Sequence, residues 1–473
     1  MTLVVVLLTF NFISNVQSIV LIKTPKQYAN DFAESLKFQT VSYDPSDLEH
    51  PVNYTEFSRF LSFLETKFPL VHSNLQKTLV SGYSLSFKWQ GSVTSLKPLM
   101  IHGHYDVVPV TPFGWDYPPF NGTITNGYIY GRGAIDNKLI VMSALEAVEA
   151  LLFSGYSPKR TVYLNFGHDE EIGGPNGHKK ISAMFAAQNV RAEMIIDEGN
   201  PIMAPGFLPG LTTTTVALGL FEKGYLYYNL TVNSAGGHGA MPPHESAIGI
   251  LSKALIALEK NQFAPIEGIS TLNGLVALFP PEVVKNNLYL ESMTKTTTAV
   301  TMTRAGTKPN VIANQAVAWV NHRIIRGQNV SYVYDKVVEI INDTRVIITV
   351  DAGMEPSPYT DPNTQSFKLV KKSLKAVYGD DTNVVPSMMF ANTDTRWYWN
   401  ITDNIFRVMP VVGVYDDLAT IHGYNEKISI TGYVKAIKFY KKLILKLNIC
   451  NGQGNPTNNQ INNSDPDLAD CDC

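Results

Sequence analysis

Several short stretches of this sequence bring histidine and carboxylate side chains together at spacings that chemistry can use. In Met100–Pro109 (MIHGHYDVVP), His102, His104 and Asp106 alternate where an apolar run gives way to a loop, so all three can face one side. Asp136 follows glycines in Tyr130–Lys138 (YGRGAIDNK), and His168, Asp169, Glu170 and Glu171 close the apolar run in Leu164–Gly174 (LNFGHDEEIGG). Asp197 and Glu198 end another run in Arg191–Gly199 (RAEMIIDEG), and His422 comes much later in Ile421–Ile428 (IHGYNEKI). Adjacent carboxylates repel, and each is costly to take out of water. A cation answers both objections. Imidazole and carboxylate ligands without cysteine suit zinc or a similar divalent ion in a catalytic site rather than a closed structural one. Two ions about 3.5–4 Å apart, bridged by one carboxylate, account for five protein ligands and leave room for a water whose pKa falls to roughly 7. A lone histidine is more often a hydrogen-bonded structural residue. A series of His, Asp, Glu, Asp and His, each at the end of an element, is much harder to explain that way.

Such residues need a frame to bring them together. Apolar runs such as Lys97–Ile101 (KPLMI) and Thr161–Phe166 (TVYLNF) alternate with the helical pattern Lys138–Leu152 (KLIVMSALEAVEALL), which Gly155 and Pro158 close. Strand, helix, strand predicts an α/β fold, a mostly parallel sheet with helices on both faces. Open sheets of this kind take their ligands just past the carboxyl ends of their strands, where these polar residues collect. From Thr212 the texture changes. Tyr225–Val232, Thr296–Arg304 and Ala316–Arg323 alternate like half-buried strands, while Glu245–Leu258 and Ser331–Ile341 read as helices, which predicts an inserted α+β domain. The α/β texture returns with a helix at Ser366–Tyr378, a strand at Ile405–Val412 and a helix at Thr431–Leu447. The expected organisation is a leader over 1–18, one domain built from 19–211 and 346–449, an insert over 212–345, and a low-complexity, disordered tail over 450–473.

The bulk properties set wider bounds. A chain of 473 residues is long for one core, and 45% apolar with 17% charged residues is globular. A formal net charge of −3 shows no basic excess, so nothing argues for a nucleic-acid partner. The N-terminal MTLVVVLLTFNFISNVQS carries a short apolar run followed by small residues at Val16 and Ser18, which predicts a signal peptide cleaved after Ser18, with an uncleaved anchor as the alternative because no Lys or Arg precedes the run. A membrane span needs about 20 apolar residues, and no later stretch supplies them. Secretion is the expected destination, with lysosome or vacuole as the alternative. Sequons at Asn53, Asn121, Asn229, Asn329, Asn342, Asn400 and Asn462 fit that route, making the chain a candidate glycoprotein. Cys450, Cys471 and Cys473 lie near the C-terminus and leave the body without a disulfide framework.

Taken in order, HxD at His104–Asp106, GRGAIDNK, GHDEEIGG, IIDEG, AGGHGAMPP and HGYNEKI resemble the motif set of the co-catalytic zinc metallopeptidases of clan MH. That group includes aminoacylase-1, acetylornithine deacetylase and carboxypeptidase S. The resemblance runs from about Thr24 to Leu447 and is strongest to carboxypeptidase S and the secreted N-fatty-acyl-amino-acid synthase/hydrolase. It implies two Zn2+ ions: His104 and Asp197 bind one, Glu171 and His422 the other, and Asp136 bridges. Glu170 becomes the general base, Asp106 orients His104, and His102 has no family role. In IIDEG either Asp197 or Glu198 can be the ligand, and Asp197, which directly ends the strand, is preferred. The insert becomes a ferredoxin-like lid that also mediates homodimerisation. Its His238 polarises the scissile carbonyl, often in a neighbouring subunit's site. Asn310 and Arg323 hold the substrate, and Arg396 is a second candidate for its carboxylate, to which the forked guanidinium is suited. The implied substrate is a small molecule, an N-acyl and especially an N-fatty-acyl amino acid that the enzyme cleaves or also forms. A carboxypeptidase acting on short peptides is the alternative, and a non-catalytic secreted binding protein a minor one. Tyr105, Trp115, Tyr117 and Phe120 are candidates to line an apolar pocket for the acyl chain, although such residues are more often core.

Overall fold

The computed structural model describes residues 22–449 apart from 45, 46 and 112. The expected leader and tail, Asn462 and all three cysteines lie outside the described residues. Eight strands form the large sheet, in the order Gln76–Val80, Ser84–Trp89, Val162–Gly167, Leu99–His104, Met194–Met203, Ile405–Gly413, Thr215–Glu222 and Asn383–Met389. The four strands from Val162–Gly167 to Ile405–Gly413 run parallel to one another. They are buried on both faces, so they read as continuous apolar runs and not as alternating ones. Helix Lys138–Phe153 is buried along nearly its whole length, against strand Leu99–His104 and helices Pro69–Asn74 and Ile430–Ile449. That burial explains a sequence that is apolar almost all round. Near the start of the described chain, Thr24 and Gln27 form a capping box ahead of helix Pro25–Ser35.

A second sheet is wholly antiparallel, in the order Thr297–Ala305, Gln315–Ile324, Gly224–Asn233 and Ile347–Met354. Helices Ala247–Lys260 and Val330–Ile341 cover one face, and Leu226, Tyr228, Leu230, Ile250, Leu251 and Val337 belong to a core of its own. The chain order, strand–helix–strand–strand–helix–strand, is ferredoxin-like. The bounds of this unit differ from those expected from sequence. Thr215–Glu222 pairs with Asn383–Met389 in the large sheet, so the small unit begins at Gly224 and not at Thr212. Ile347–Met354 pairs with Gly224–Asn233, which carries its end past residue 345. Where the two crossings meet, a Cβ on Gly224 would collide with the Met354 carbonyl, so the close approach requires glycine. Between the small unit's first helix and second strand the chain returns to the body, where Ile269, Leu275, Val276, Tyr289 and Leu290 join the large core.

No described helix is long and apolar enough to cross a membrane. Among the sequons, Asn53, Asn121, Asn329, Asn342 and Asn400 are exposed. Asn229 is half-buried in a central strand, where its side-chain amide donates to Asp351 Oδ1 at 3.1 Å.

Candidate metal centre and active site

Strand Leu99–His104 delivers His104 at its carboxyl end, fully buried. Its Nδ1 lies 3.0 Å from the Asp106 carbonyl and 3.2 Å from Asp106 Oδ1, so Nδ1–H donates and Nε2 is left to present its lone pair. That lone pair faces Asp136 Oδ1 at 3.1 Å, Glu198 Oε2 at 3.5 Å and Glu170 Oε2 at 4.0 Å. Such an arrangement is repulsive unless a cation stands between or Nε2 carries a proton. On the other side, His422 Nε2 lies 3.0 Å from Asp136 Oδ2 and 3.1 Å from Glu171 Oε2. Asp136 therefore turns one oxygen to each imidazole.

The backbone around these ligands is held by buried carboxylates. Asp106 Oδ2 accepts from Ser42 Oγ at 2.7 Å and from the Glu171 N–H at 3.1 Å, and its Oδ1 accepts the Glu170 N–H at 3.0 Å. One side chain thus sets the His104 tautomer and pins the turn that bears both glutamates. Asp169 accepts the N–H groups of Asn176 and Gly177 at 2.7 and 2.9 Å, a structural contact that fastens the rest of the loop. Glu426, which the sequence reading did not single out, is fully buried and accepts the N–H groups of Gly133, Ile135 and Asp136 at 2.9, 2.6 and 2.9 Å. It also pairs with Arg132 at 2.7 Å. The only signal in sequence was its place in HGYNEKI, four residues past His422. Asn137 is a second missed residue: its amide donates to Glu198 Oε2 at 2.7 Å. His422 itself has φ of 58°, a left-handed conformation that a side chain other than glycine rarely adopts, at the point where its ring reaches Asp136.

Between the two candidate acids of IIDEG, the strand turns Glu198 toward His104. The strand expected to end at Asp197 runs on to Met203, so Asp197 and Glu198 project to opposite faces. The Glu198 carboxylate, and not that of Asp197, reaches His104. Asp197 Oδ1 accepts the Glu198 N–H at 2.8 Å, and its buried Oδ2 has no hydrogen-bond partner.

The electrostatics show a shortage of positive charge. Burial and the Glu198 charge push the Glu170 carboxyl well above its usual range. Burial and Asp136 push Glu171 up to about 7. Burial alone would lower His104, but Glu198, Asp106 and Asp136 raise it well above the ordinary histidine value. Hydrogen bonds to Asp136 and Glu171 raise His422 to about 10. Glu171 Oε1 is buried without a hydrogen-bond partner. Oxygen and nitrogen donors without sulfur, converging with charge in deficit, fit divalent metal binding in two groups, His104 with Asp136 and Glu171, and His104 with Glu170 and Glu198, with His422 beside the first.

Around this cluster the other expected residues divide. Arg396 stands on the short turn Asp394–Trp397, with Nη2 3.7 Å from Glu170 Oε1. A buried ion pair between Arg407 and Glu222 supports that turn, since Thr395 Oγ1 accepts from Arg407 at 2.8 Å and Thr393 Oγ1 donates to Glu222 at 2.6 Å. Arg323 reaches the same rim from the small sheet: it donates to Asn392 Oδ1 at 2.6 Å and lies against the rings of Tyr225 and Tyr227. His238 and Asn310 are exposed neighbours, with the Gly239 N–H donating to the Asn310 carbonyl at 2.9 Å. Neither belongs to the described contacts of the cluster. His102 bonds Asn165 at 3.1 Å within the sheet. Tyr105 is core, stacked on Phe60 with its hydroxyl donating to the Tyr83 carbonyl, so it does not line a pocket. Trp115, Tyr117 and Phe120 are half-buried.

A mostly parallel α/β sheet with a histidine–carboxylate cluster at its strand ends, and a ferredoxin-like unit inserted beside it, defines a metal-dependent hydrolase. The profile of peptidase family M20/M25/M40 matches residues 100–446, and the chain belongs to that family. The probable carboxypeptidase S-like 1 of Dictyostelium discoideum is 52% identical over 429 residues, covering 90% of this chain and 88% of that protein. The N-fatty-acyl-amino acid synthase/hydrolase of Mus musculus is 38% identical over 435 residues, covering 87% and 86%. In fold, the chain superposes on the M20 family metallo-carboxypeptidase Sso-CP2 from Sulfolobus solfataricus with a TM-score of 0.68 at 21% identity, over 89% of this chain and 99% of that one. This protein is accordingly a metallohydrolase acting on amide bonds.

Proposed function

We propose that this enzyme hydrolyses the amide between an acyl group and an amino acid bearing a free carboxylate, with two zinc ions that Asp136 would share. The observation that carries the reading is the division of Asp136 between His104 and His422, at 3.1 and 3.0 Å. His104 and Glu198 would hold one ion, and Glu171 and His422 the other. Zinc so held would supply the positive charge that acidifies a water and polarises the scissile carbonyl. Glu170 takes the proton from the attacking water and hands it to the leaving amine nitrogen. Asp106 holds the His104 ring, and Arg396 and Arg323 offer forked donors to the substrate carboxylate at the rim. His238 and Asn310 sit on an exposed ladder and serve the site of a second subunit in a homodimer.

The Mus musculus relative, named for N-fatty-acyl amino acids, favours a fatty-acyl substrate, and hydrolysis by this chemistry can also run in reverse. The signal-like N-terminus and the exposed sequons support a secreted glycoprotein. A carboxypeptidase acting on peptides is the second reading, favoured by the name of the Dictyostelium discoideum relative. Turnover of N-acyl amino acids against dipeptides, each with and without a chelator, decides between them. Chelator-sensitive cleavage of dipeptides alone would overturn the first reading.

A further inference from the structure

The carbonyl carbon under attack has to sit at the cluster, so the acyl chain must leave along one of its walls. The His104 wall is closed, with that side chain 1% exposed, whereas His422 is 53% exposed. The loop that carries His422 also carries Tyr424, and the stretch from Phe113 to Asp116 packs against that loop. Phe113 is 82% exposed and Tyr424 is 49% exposed. Trp115, two residues after Phe113, sets its ring edge-on to Tyr424 at 6.4 Å and its face on the Arg132 guanidinium at 5.4 Å. This strip is fastened to the loop that carries His422. The Asp116 N–H donates to Asn425 Oδ1 at 2.8 Å, Asn425 Nδ2 returns a bond to Asp116 Oδ2 at 3.1 Å, and Arg132 Nη2 donates to the Gly423 carbonyl at 2.8 Å. Gly114 permits the packing, because a Cβ there would lie 2.9 Å from the Tyr424 ring.

Resting on the reading of this enzyme as an N-acyl-amino-acid hydrolase, we infer that Phe113, Trp115 and Tyr424 form an open strip on which the substrate's acyl chain lies as it leaves the centre past His422. Large apolar side chains left in water gain nothing for the fold, but they gain from any chain that covers them. A methylene fully buried is worth about a fourfold gain, so one covered on a single side gives about twofold. The strip therefore makes the enzyme selective by chain length.

The test is kcat/KM of the zinc-loaded enzyme for N-acyl amino acids from acetyl to hexadecanoyl. The wild type should gain about twofold per methylene until the strip is covered. Phe113→Ser and Tyr424→Ala should each lower the dodecanoyl-to-acetyl ratio by about fivefold, while Phe113→Leu and Tyr424→Phe keep it. Damage to the fold lowers both substrates together and leaves the ratio unmoved, so an unmoved ratio in Phe113→Ser and Tyr424→Ala overturns the strip alone. An unmoved ratio with a changed oligomeric state by light scattering also overturns it and assigns the patch to a second copy. No wild-type turnover of any N-acyl amino acid overturns the underlying reading and the strip with it.

Discussion

Glu170 and Glu171 are neighbours in sequence whose side chains reach different groups: Glu171 bonds His422, while Glu170 faces His104 and Arg396. Both N–H groups are held by Asp106, so the difference lies in side-chain direction alone. Replacing Glu170 with Gln keeps shape and removes the base, so turnover should fall roughly 10²–10⁴-fold with metal content unchanged. Near-wild-type turnover in that variant would dismiss Glu170 as the base. For the neighbouring pair Asp197 and Glu198, metal titration is the sharper measurement. Glu198→Gln should weaken zinc binding by at least about tenfold and Asp197→Asn should do less, while the reverse order would return Asp197 to the ligand set.

Between elements, the decisive piece is Glu426, which ties the loop after one strand to the loop bearing Asp136. Glu426→Gln leaves the buried Arg132 without its counter-charge, so stability in urea should fall by about 2–4 kcal/mol. Zinc affinity should fall too, because Asp136 loses the fixed backbone behind it. A variant as stable as wild type would show that the Gly133–Asp136 turn stands without this clamp. Long periodic segments were legible before the structure: Glu245–Leu258 was the expected helix where Ala247–Lys260 is found, and Ile405–Val412 the strand where Ile405–Gly413 is found. The short helices between Ile269 and Ser292 carry no comparable period, and their packing on the large core is set by residues far away in sequence.

For the molecule as a whole, metal and pH should act on stability by separate routes. Zinc held by the folded cluster, and not by the dispersed ligands of the unfolded chain, would stabilise the fold, so a chelator should lower the melting temperature by several degrees, from a loss of about 4 kcal/mol at a thousandfold excess over Kd. An unchanged melting point would argue against a preformed metal cluster. His322 lies in the small sheet, away from that cluster, and bonds Tyr228 and Thr298. Burial holds its imidazole down to about 4, against about 6.5 when unfolded. The unfolded chain therefore binds more protons in that interval. The contribution is complete above pH 6.5 and is lost as pH falls toward 4, the loss reaching about 2 kcal/mol at pH 5. Urea midpoints at pH 7.5 and pH 5 should differ less in His322→Gln than in wild type, and an equal difference would show that His322 does not titrate on unfolding.

The sequence by itself determined the chemistry on offer and most of the frame. His104, Asp136, Glu171 and His422 stand beside glycine turns and apolar strands, and such local patterns survive in one dimension. Tertiary structure decided what depends on partners. Whether the strand stops at Asp197 or runs to Met203 is set by its pairing with Ile405–Gly413, and with it which acid faces His104. Tyr105 and Phe113 are both aromatic and stand in one stretch of chain, yet one is wholly buried and the other almost bare. Thr215–Glu222 became body and Ile347–Met354 became insert through their pairings. In each case the deciding contact joins residues distant in sequence, which hydrophobic periodicity along one segment cannot register.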